Sequence, residues 1–166
     1  MDGTDFRIQE PIPFDRKWYS HKFSGAGLRY EVGVCIQTGH IVWANGPYEA
    51  GAWSDRRISL DKIVYELDDE EMVLADGGYN DDYEFFETPT GHNDEDQRMK
   101  KVARARHETI NGKLKTWGIL KQCFRHNLNK HWMVFAAAIH ITQLLIETED
   151  DYIFQVDYND VVDEEE

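Results

Sequence analysis

The stretch Leu28–Gln37, which reads LRYEVGVCIQ, decides the fold because polar and apolar residues alternate along it. One face of this predicted strand carries the apolar side chains Leu28, Tyr30, Val32, Val34 and Ile36. Thr38-Gly39 supplies a turn, a partner strand begins over His40–Trp43, and Gly46-Pro47 marks a loop after it. The stretch therefore predicts a β-hairpin.

Two further segments have the pattern of strands. Asp2–Ile8 alternates weakly between polar and apolar residues and predicts a short strand, which Pro11 and Pro13 stop. Met72–Ala75 is an apolar run that is typical of a buried strand. The end of that run would deliver an acid, Asp76, to a loop. We expect both segments to join the hairpin in one mixed sheet.

Three segments have the pattern of helices. Ser54-Asp55 has the composition of a helix N-cap, and apolar residues recur at helical spacing after it. Asp96–Arg125 predicts a basic helix with a break near Gly112 or Gly118. Trp132–Glu147 is apolar all round and too short to span a membrane, so it predicts a buried helix. The fold class that follows is α/β, a mixed sheet flanked by helices.

Composition narrows the class of protein. Cys35 and Cys123 are the only cysteines, so a disulfide scaffold and a CxxC metal or redox motif are excluded. The first residues lack the basic and apolar parts of a signal peptide, and no window of about 18 apolar residues exists. We expect a soluble, intracellular protein without a membrane partner.

The net charge of −14 is divided into blocks along the 166-residue chain. Residues 66–96 hold 13 acidic side chains and no lysine or arginine, whereas residues 97–131 hold 10 basic side chains and one acid. Residues 147–166 hold 10 acids, and Tyr152–Val156 within them has the pattern of an edge strand. The blocks indicate either ordinary solvated faces or a basic binding surface beside an acidic site and an acidic tail.

Three acids stand out by position: Asp2 on the first strand, Asp76 after the buried run, and Glu108 inside the basic helix. Glu108 either forms an ion pair with Arg104 or Lys115, or faces away from the cations to hold a metal. If the three acids converge, they form the oxygen-rich site that Mg²⁺ or Mn²⁺ prefers. His107, the neighbour of Glu108, is expected to contact phosphate or solvent.

Four strings of the sequence, taken in order, resemble those of a DDE superfamily endonuclease, closest to the PIF/Harbinger-type transposases. They are Asp2-Gly3-Thr4-Asp5, then Gly46-Pro47 with Ser54-Asp55, then Leu74-Ala75-Asp76-Gly77-Gly78-Tyr79 followed by Thr88-Pro89, and finally Arg106-His107-Glu108-Thr109-Ile110-Asn111-Gly112-Lys113-Leu114-Lys115. The resemblance runs to about Ile146. An N-cap role alone would also explain Ser54-Asp55.

The resemblance implies an RNase H-like fold over residues 1–147, followed by an acidic tail over residues 148–166. It also implies a catalytic triad of Asp2, Asp76 and Glu108 that holds Mg²⁺ or Mn²⁺. Enzymes of this kind hydrolyse a phosphodiester at a transposon end, and the freed 3′ hydroxyl then attacks target DNA. DNA is the implied partner and the nucleus the implied location.

The basic segment is the expected DNA surface. The cations expected to contact phosphates are Arg104, Arg106, Lys113, Lys115, Lys121 and Arg125. The sequence shows no helix-turn-helix region, which such enzymes usually use to recognise transposon ends, so a separate DNA-binding subunit or domain is a candidate partner. Because the first strand starts one residue before Asp2, we expect a fragment, a decayed copy or a domesticated protein. The alternative function is a catalytically inactive DNA- or protein-interaction module.

Overall fold

The computed structural model of the chain describes residues 1–68, 71–75, 85–87 and 94–148. Its main sheet has four strands, β1 (Asp2–Arg7), β2 (Tyr19–Ser20), β3 (Gly25–Val34) and β4 (Ile41–Glu49). β3 pairs with each of the other three strands, and every one of these pairings is antiparallel. β3 therefore organises the sheet.

The predicted hairpin is confirmed, and its second strand is longer than expected. β4 continues through Gly46-Pro47, which the sequence marked as a loop, and ends at Glu49. Gly46 has a φ of +136°, and a Cβ there would lie 2.6 Å from the Tyr30 ring. Glycine is therefore required at this position, both for its backbone conformation and for the close approach of the ring.

The expected place of Met72–Ala75 is wrong for the described part of the chain. Residues Val73–Leu74 form strand β5, which pairs in parallel with β6 (Phe86–Glu87) in a separate two-stranded sheet. Both sheets approach each other at Met1, whose amino group donates a hydrogen bond of 2.7 Å to the Leu74 carbonyl. The main sheet is thus antiparallel rather than mixed, and the parallel pairing lies in the small sheet.

The two faces of β1 are covered by different layers. Thr4 and Phe6 lie opposite Tyr30 and Leu28 in the register, and Phe6, Leu28 and Tyr30 belong to the main core. The intervening positions, Gly3 and Asp5, lie opposite Glu31 and Arg29 on the other face. Since successive side chains of a strand point to opposite faces, each residue of β1 is assigned to one layer.

The face of β1 with Gly3 and Asp5 is covered by helix α1 (Asp55–Lys62). This helix begins at the predicted cap, where Ser54 Oγ accepts a hydrogen bond of 3.2 Å from the Arg57 backbone N–H. The opposite face, with the main core, is covered by α2 (Asp94–Thr116) and the short helix α3 (Gly118–Lys121), which are separated at Trp117. The break thus lies beside Gly118, one of the two predicted positions. Ile110 and Leu114 of α2 and Leu120 of α3 contribute to the main core.

Helix α4 (His131–Thr148) is buried on one face only, which corrects the expectation of a helix buried all round. Phe135 and Ile139 lie in the main core, whereas Met133 and Leu144 are 68% and 58% exposed. The uniformly apolar sequence cannot show which face a neighbour covers, so this error follows from the pattern itself. Within the described ranges, none of the helices has the length and apolar character needed to cross a membrane.

Candidate active site

Strand β1 carries two aspartates in different surroundings. Asp2 lies opposite Val32 of β3, in the phase of the core-facing residues of the strand. Asp5 lies opposite Arg29, on the face that α1 covers. The two acids are three positions apart, and side chains of a strand alternate between its faces, so Asp2 and Asp5 lie on opposite faces of β1.

Asp5 is a buried acid whose charge is fully compensated. Arg29 Nε lies 2.7 Å from its Oδ1, and Arg29 Nη2 donates to its Oδ2 at 3.0 Å. The Ser20 hydroxyl donates a third hydrogen bond, of 2.5 Å, to Oδ2. This paired geometry is that of a structural ion pair, which leaves the carboxylate little capacity for another cation.

Asp2 has a different environment, because it lines a cavity together with Glu108. The cavity has a volume of about 230 Å³, and Leu74 and Ala75 form part of its wall. The α2 residues in the wall are spaced three or four apart, as expected for one helix face: Lys100, Ala103, Arg104, His107 and Glu108. The structure thus brings two of the three predicted acids to one cavity.

The third predicted acid, Asp76, lies outside the described residues. Its neighbour in the chain, Ala75, is described, is buried and lines the cavity with Asp2 and Glu108. The Ala75 backbone N–H is held by the Glu87 carbonyl of β6 at 2.9 Å. The small sheet therefore fixes the backbone one residue before Asp76.

Asn111 lies one helical turn after Glu108, and sequence reasoning gave it no role. Its Nδ2 donates a hydrogen bond of 3.2 Å to Oδ2 of Asp2, from a position 109 residues away in the chain. Its spacing of three from Glu108 was the available signal, because residues three apart share a face of a helix.

Glu108 is exposed, and within the described residues no ion pair joins it to Arg104 or Lys115. The first explanation for this isolated acid was a structural ion pair, and the described contacts contain none at Glu108. An exposed carboxylate at the wall of a cavity is free to accept a ligand from solvent.

The donor chemistry of the cavity suits a hard divalent cation. Carboxylate oxygens are the ligands that Mg²⁺ and Mn²⁺ prefer, and Asp2 and Glu108 supply two such groups. Within residues 1–68, 71–75, 85–87 and 94–148, no cluster of three or more His, Cys, Asp or Glu side chains forms a metal site. The pair of acids would thus need a further ligand, and Asp76 is the predicted one.

His107, which was expected to contact phosphate or solvent, is largely shielded from bulk solvent. It is only 9% exposed and lines the wall of the cavity, and burial lowers its pKa to about 3. The imidazole is thus neutral at physiological pH, because burial disfavours its charged form.

Arg106 is the exception among the predicted DNA contacts, because it is only 4% exposed. It precedes Ile110 by four residues and so shares the core-facing side of α2. The other five cations differ in exposure: Arg104, Lys115, Lys121 and Arg125 are exposed, and Lys113 is partly buried.

A group of acids under the opposite face of the sheet was also missed. A Cβ on Gly3 would lie 1.9 Å from Asp55 Oδ1, so the Asp55 carboxylate packs directly on the strand that carries Asp2. Burial raises the pKa of Asp55 above its usual value, although Arg29 opposes the shift. Asp55 therefore has a packing role in addition to its place next to the Ser54 cap.

Glu31 is the second acid of this group and is almost fully buried. It accepts hydrogen bonds from the Ser59 hydroxyl of α1 and, at 2.7 Å, from the Trp43 indole of β4. Burial raises its pKa, and the two hydrogen bonds oppose that shift. Glu31 thus connects β3 to a helix and to a second strand, and its oxygens are already engaged.

Comparison with known proteins identifies the family. The model of the DDE superfamily endonucleases matches residues 1–143, which include β1, both sheets and most of α4. Neither the curated proteins nor the solved structures gave a match. Because the family model covers most of the chain, the protein belongs to the DDE superfamily endonucleases.

Proposed function

We propose that the protein is the catalytic domain of a metal-dependent DNA endonuclease or transposase that hydrolyses phosphodiester bonds through Asp2, Asp76 and Glu108. One observation carries the proposal: Asp2 from β1 and Glu108 from α2 line a single cavity, and the described wall of that cavity ends at Ala75, immediately before Asp76 in sequence. An RNase H-like arrangement of residues 1–147 is part of the proposal, and so are transposon ends as the substrate and the nucleus as the location.

Each acid has a distinct structural support in this proposal. Asp2 is carried by a strand paired along its whole length, Glu108 by a helix of 23 residues, and Asp76 by the segment that follows β5. The three carboxylates would hold Mg²⁺ or Mn²⁺. A cation bound there supplies Lewis acidity and lowers the pKa of a bound water.

The remaining cavity residues bind and orient the DNA. Arg104 and Lys100 line the cavity and place positive charge beside the acids, where a scissile phosphate would lie. Beyond the cavity, the exposed Lys115, Lys121 and Arg125 and the partly buried Lys113 extend the positive charge. These cations contact phosphates and thus contribute affinity without sequence preference. Sequence choice at transposon ends is assigned to a separate DNA-binding subunit or domain.

The test is nicking of supercoiled plasmid DNA by the purified chain in Mg²⁺, in Mn²⁺ and in EDTA. We expect nicking in Mn²⁺ and less in Mg²⁺, since Mg²⁺ demands near-ideal octahedral geometry. Asp2→Asn, Asp76→Asn and Glu108→Gln should each abolish nicking because they preserve shape and remove a negative charge from the site. Asp61→Asn, an exposed acid of α1, is the matched control and should nick like the wild type.

A second candidate function is a catalytically inactive, domesticated DNA- or protein-interaction module. The exposed apolar face of α4, with Met133 and Leu144, favours this candidate because such a face is typical of a protein contact. A folded wild-type protein that does not nick DNA in Mn²⁺ would support the module. Nicking that survives all three substitutions would indicate a contaminant or another site.

A further inference from the structure

The contact between Asn111 and Asp2 links the two elements that form the cavity. Asn111 Nδ2 donates to Asp2 Oδ2 at 3.2 Å, and among the described side chains it is the only hydrogen-bond donor to Asp2. Asn111 and Glu108 are three residues apart on α2 and so share one face. One face of α2 thus presents Glu108 to the cavity and the Asn111 amide to Asp2.

The oxygen atom of the Asn111 amide destabilises the fold. Its Oδ1 is buried and has no hydrogen-bond partner within the described part of the chain. A buried acceptor that loses water and gains no partner destabilises the fold, whereas an apolar side chain of the same shape would not. Packing alone therefore favours a residue such as leucine at this position.

Asp2 and Asp5 differ in the charge of their hydrogen-bond donors, because the Asn111 amide is neutral and the Arg29 guanidinium is positive. Arg29 holds the Asp5 carboxylate with two charged hydrogen bonds and so neutralises it. Asn111 holds Asp2 with one neutral hydrogen bond, which restricts the rotation of the carboxylate and leaves its negative charge available. A carboxylate that is oriented but not neutralised is suited to bind a cation.

We propose that Asn111 is a positioning residue of the metal site, which orients the Asp2 carboxylate for a divalent cation without neutralising it. This inference rests on the proposed function, because it requires Asp2 to be a metal ligand. Outer hydrogen-bond partners of metal ligands typically change metal affinity by about 10- to 100-fold when they are removed.

The test combines Mn²⁺ titration calorimetry with thermal unfolding in the absence of metal, on the full chain. Asn111→Leu preserves the size of the side chain and removes the amide, and Asn111→Ala removes the amide without adding bulk. Both variants should bind Mn²⁺ about 10-fold more weakly than the wild type. Asn111→Leu should unfold at the same or a higher temperature, because it removes the unpaired acceptor. Asn129→Leu, at an exposed asparagine, is the matched control and should leave Mn²⁺ affinity unchanged.

The outcomes separate this inference from the proposed function. Wild-type Mn²⁺ affinity in both variants would overturn the role of Asn111 while leaving the metal site in place. Weaker binding in Asn111→Leu alone would mean a steric effect of the leucine and would also overturn it. If the wild-type chain binds no Mn²⁺, or if the Asp2→Asn variant binds Mn²⁺ as tightly as the wild type does, the metal site and this inference are both overturned.

Discussion

At the scale of single residues, the partner of a carboxylate separates structural from functional acids. Asp2 and Asp5 lie on one strand three positions apart, yet Asp5 is held by a cation and Asp2 by a neutral amide. Glu31 also has neutral donors, Ser59 and Trp43, but it is almost fully buried, whereas Asp2 lines a cavity. The chemistry of the chain thus depends on which of its many acids lack a compensating charge and also line a cavity.

Replacing Asp5 should therefore damage the fold, and replacing Asp2 should not. Asp5→Asn removes the closer carboxylate partner of the largely buried Arg29 guanidinium and leaves its longer contact of 3.4 Å with Asp55, so we expect it to lower the free energy of unfolding by about 3 kcal/mol. Asp2→Asn removes no ion pair among the described residues and should change that free energy by less than about 1 kcal/mol. Urea denaturation of both variants measures the difference, and equal losses would contradict this distinction.

His131 should make the stability of the fold depend on pH. It is fully buried at the start of α4, where its Nδ1 lies 2.7 Å from the Tyr30 hydroxyl, and burial lowers its pKa to about 4. Between that value and the unfolded pKa of about 6.5, the unfolded chain binds more protons than the folded chain. Stability should therefore fall as the pH drops from about 6.5 towards 4, by at most about 1.4 kcal/mol for each pH unit from this group.

The comparison with His131→Phe isolates this contribution. Glu31 and Asp55 have raised pKa values and so act with the opposite sign, but they are present in both proteins and cancel in the difference. Urea unfolding at several pH values should show a steeper acid loss for the wild type than for the variant. Parallel curves would mean that His131 has the same pKa in the folded and unfolded chains, which would contradict this prediction.

At the scale of secondary-structure elements, α4 should tolerate polar or small residues on one face only. Phe135 is fully buried in the main core, and Phe135→Ala should cost about 3–5 kcal/mol in the free energy of unfolding. Leu144 is largely exposed, and Leu144→Ala should cost less than about 1 kcal/mol. Chemical denaturation at low protein concentration measures both, and a large loss for Leu144→Ala would mean that another element covers this face.

The longer elements were predictable from the sequence because their patterns repeat over many residues. Alternation gave β3 and the hairpin, and helical spacing with Ser54 gave α1. The pairing of β5 with β6 was not predictable, since strands of two residues have almost no pattern. The uniform apolar character of α4 likewise carries no information about which of its faces is covered.

For the site, the family resemblance chose Asp2 over Asp5, and pattern alone did not. The burial of Arg106 and His107 was missed because the basic composition of the segment suggested a surface. Helical phase held the correct signal: Arg106 precedes Ile110 by four residues and Leu114 by eight, and both of these are fully buried. The position of a residue around the helix therefore predicts the burial of the α2 cations better than their charge does.

At the scale of the whole molecule, the segregated charge predicts strongly salt-dependent DNA binding. Each phosphate contact that is removed should lower the slope of log affinity against log salt by about one. Four exposed cations should act in this way when changed singly to glutamine: Arg104, Lys115, Lys121 and Arg125. Lys62→Gln on α1 is the control, and its slope should equal that of the wild type. Fluorescence anisotropy over a salt series measures the slopes, and unchanged slopes in all four variants would exclude this surface.

The acidic segment after α4 should compete with DNA for the same cations. Removing residues 149–166, which hold 9 acidic side chains, should tighten DNA binding at low salt, and the gain should fade as salt rises. The anisotropy series of the shortened and full chains measures this effect. An unchanged affinity at low salt would mean that the segment does not act on the DNA surface.

The central claim is that Asp2, Asp76 and Glu108 hold one cation site, and iron-directed cleavage of the chain tests it most directly. Fe²⁺ bound in place of Mg²⁺, with ascorbate and peroxide, generates radicals that cut the backbone near the ion, and mass spectrometry locates the cuts. We predict cuts close to residues 2, 76 and 108 that excess Mn²⁺ suppresses and that Asp76→Asn abolishes. Cuts at other positions, or cuts near residue 108 that persist in Asp2→Asn and Asp76→Asn, would contradict the account.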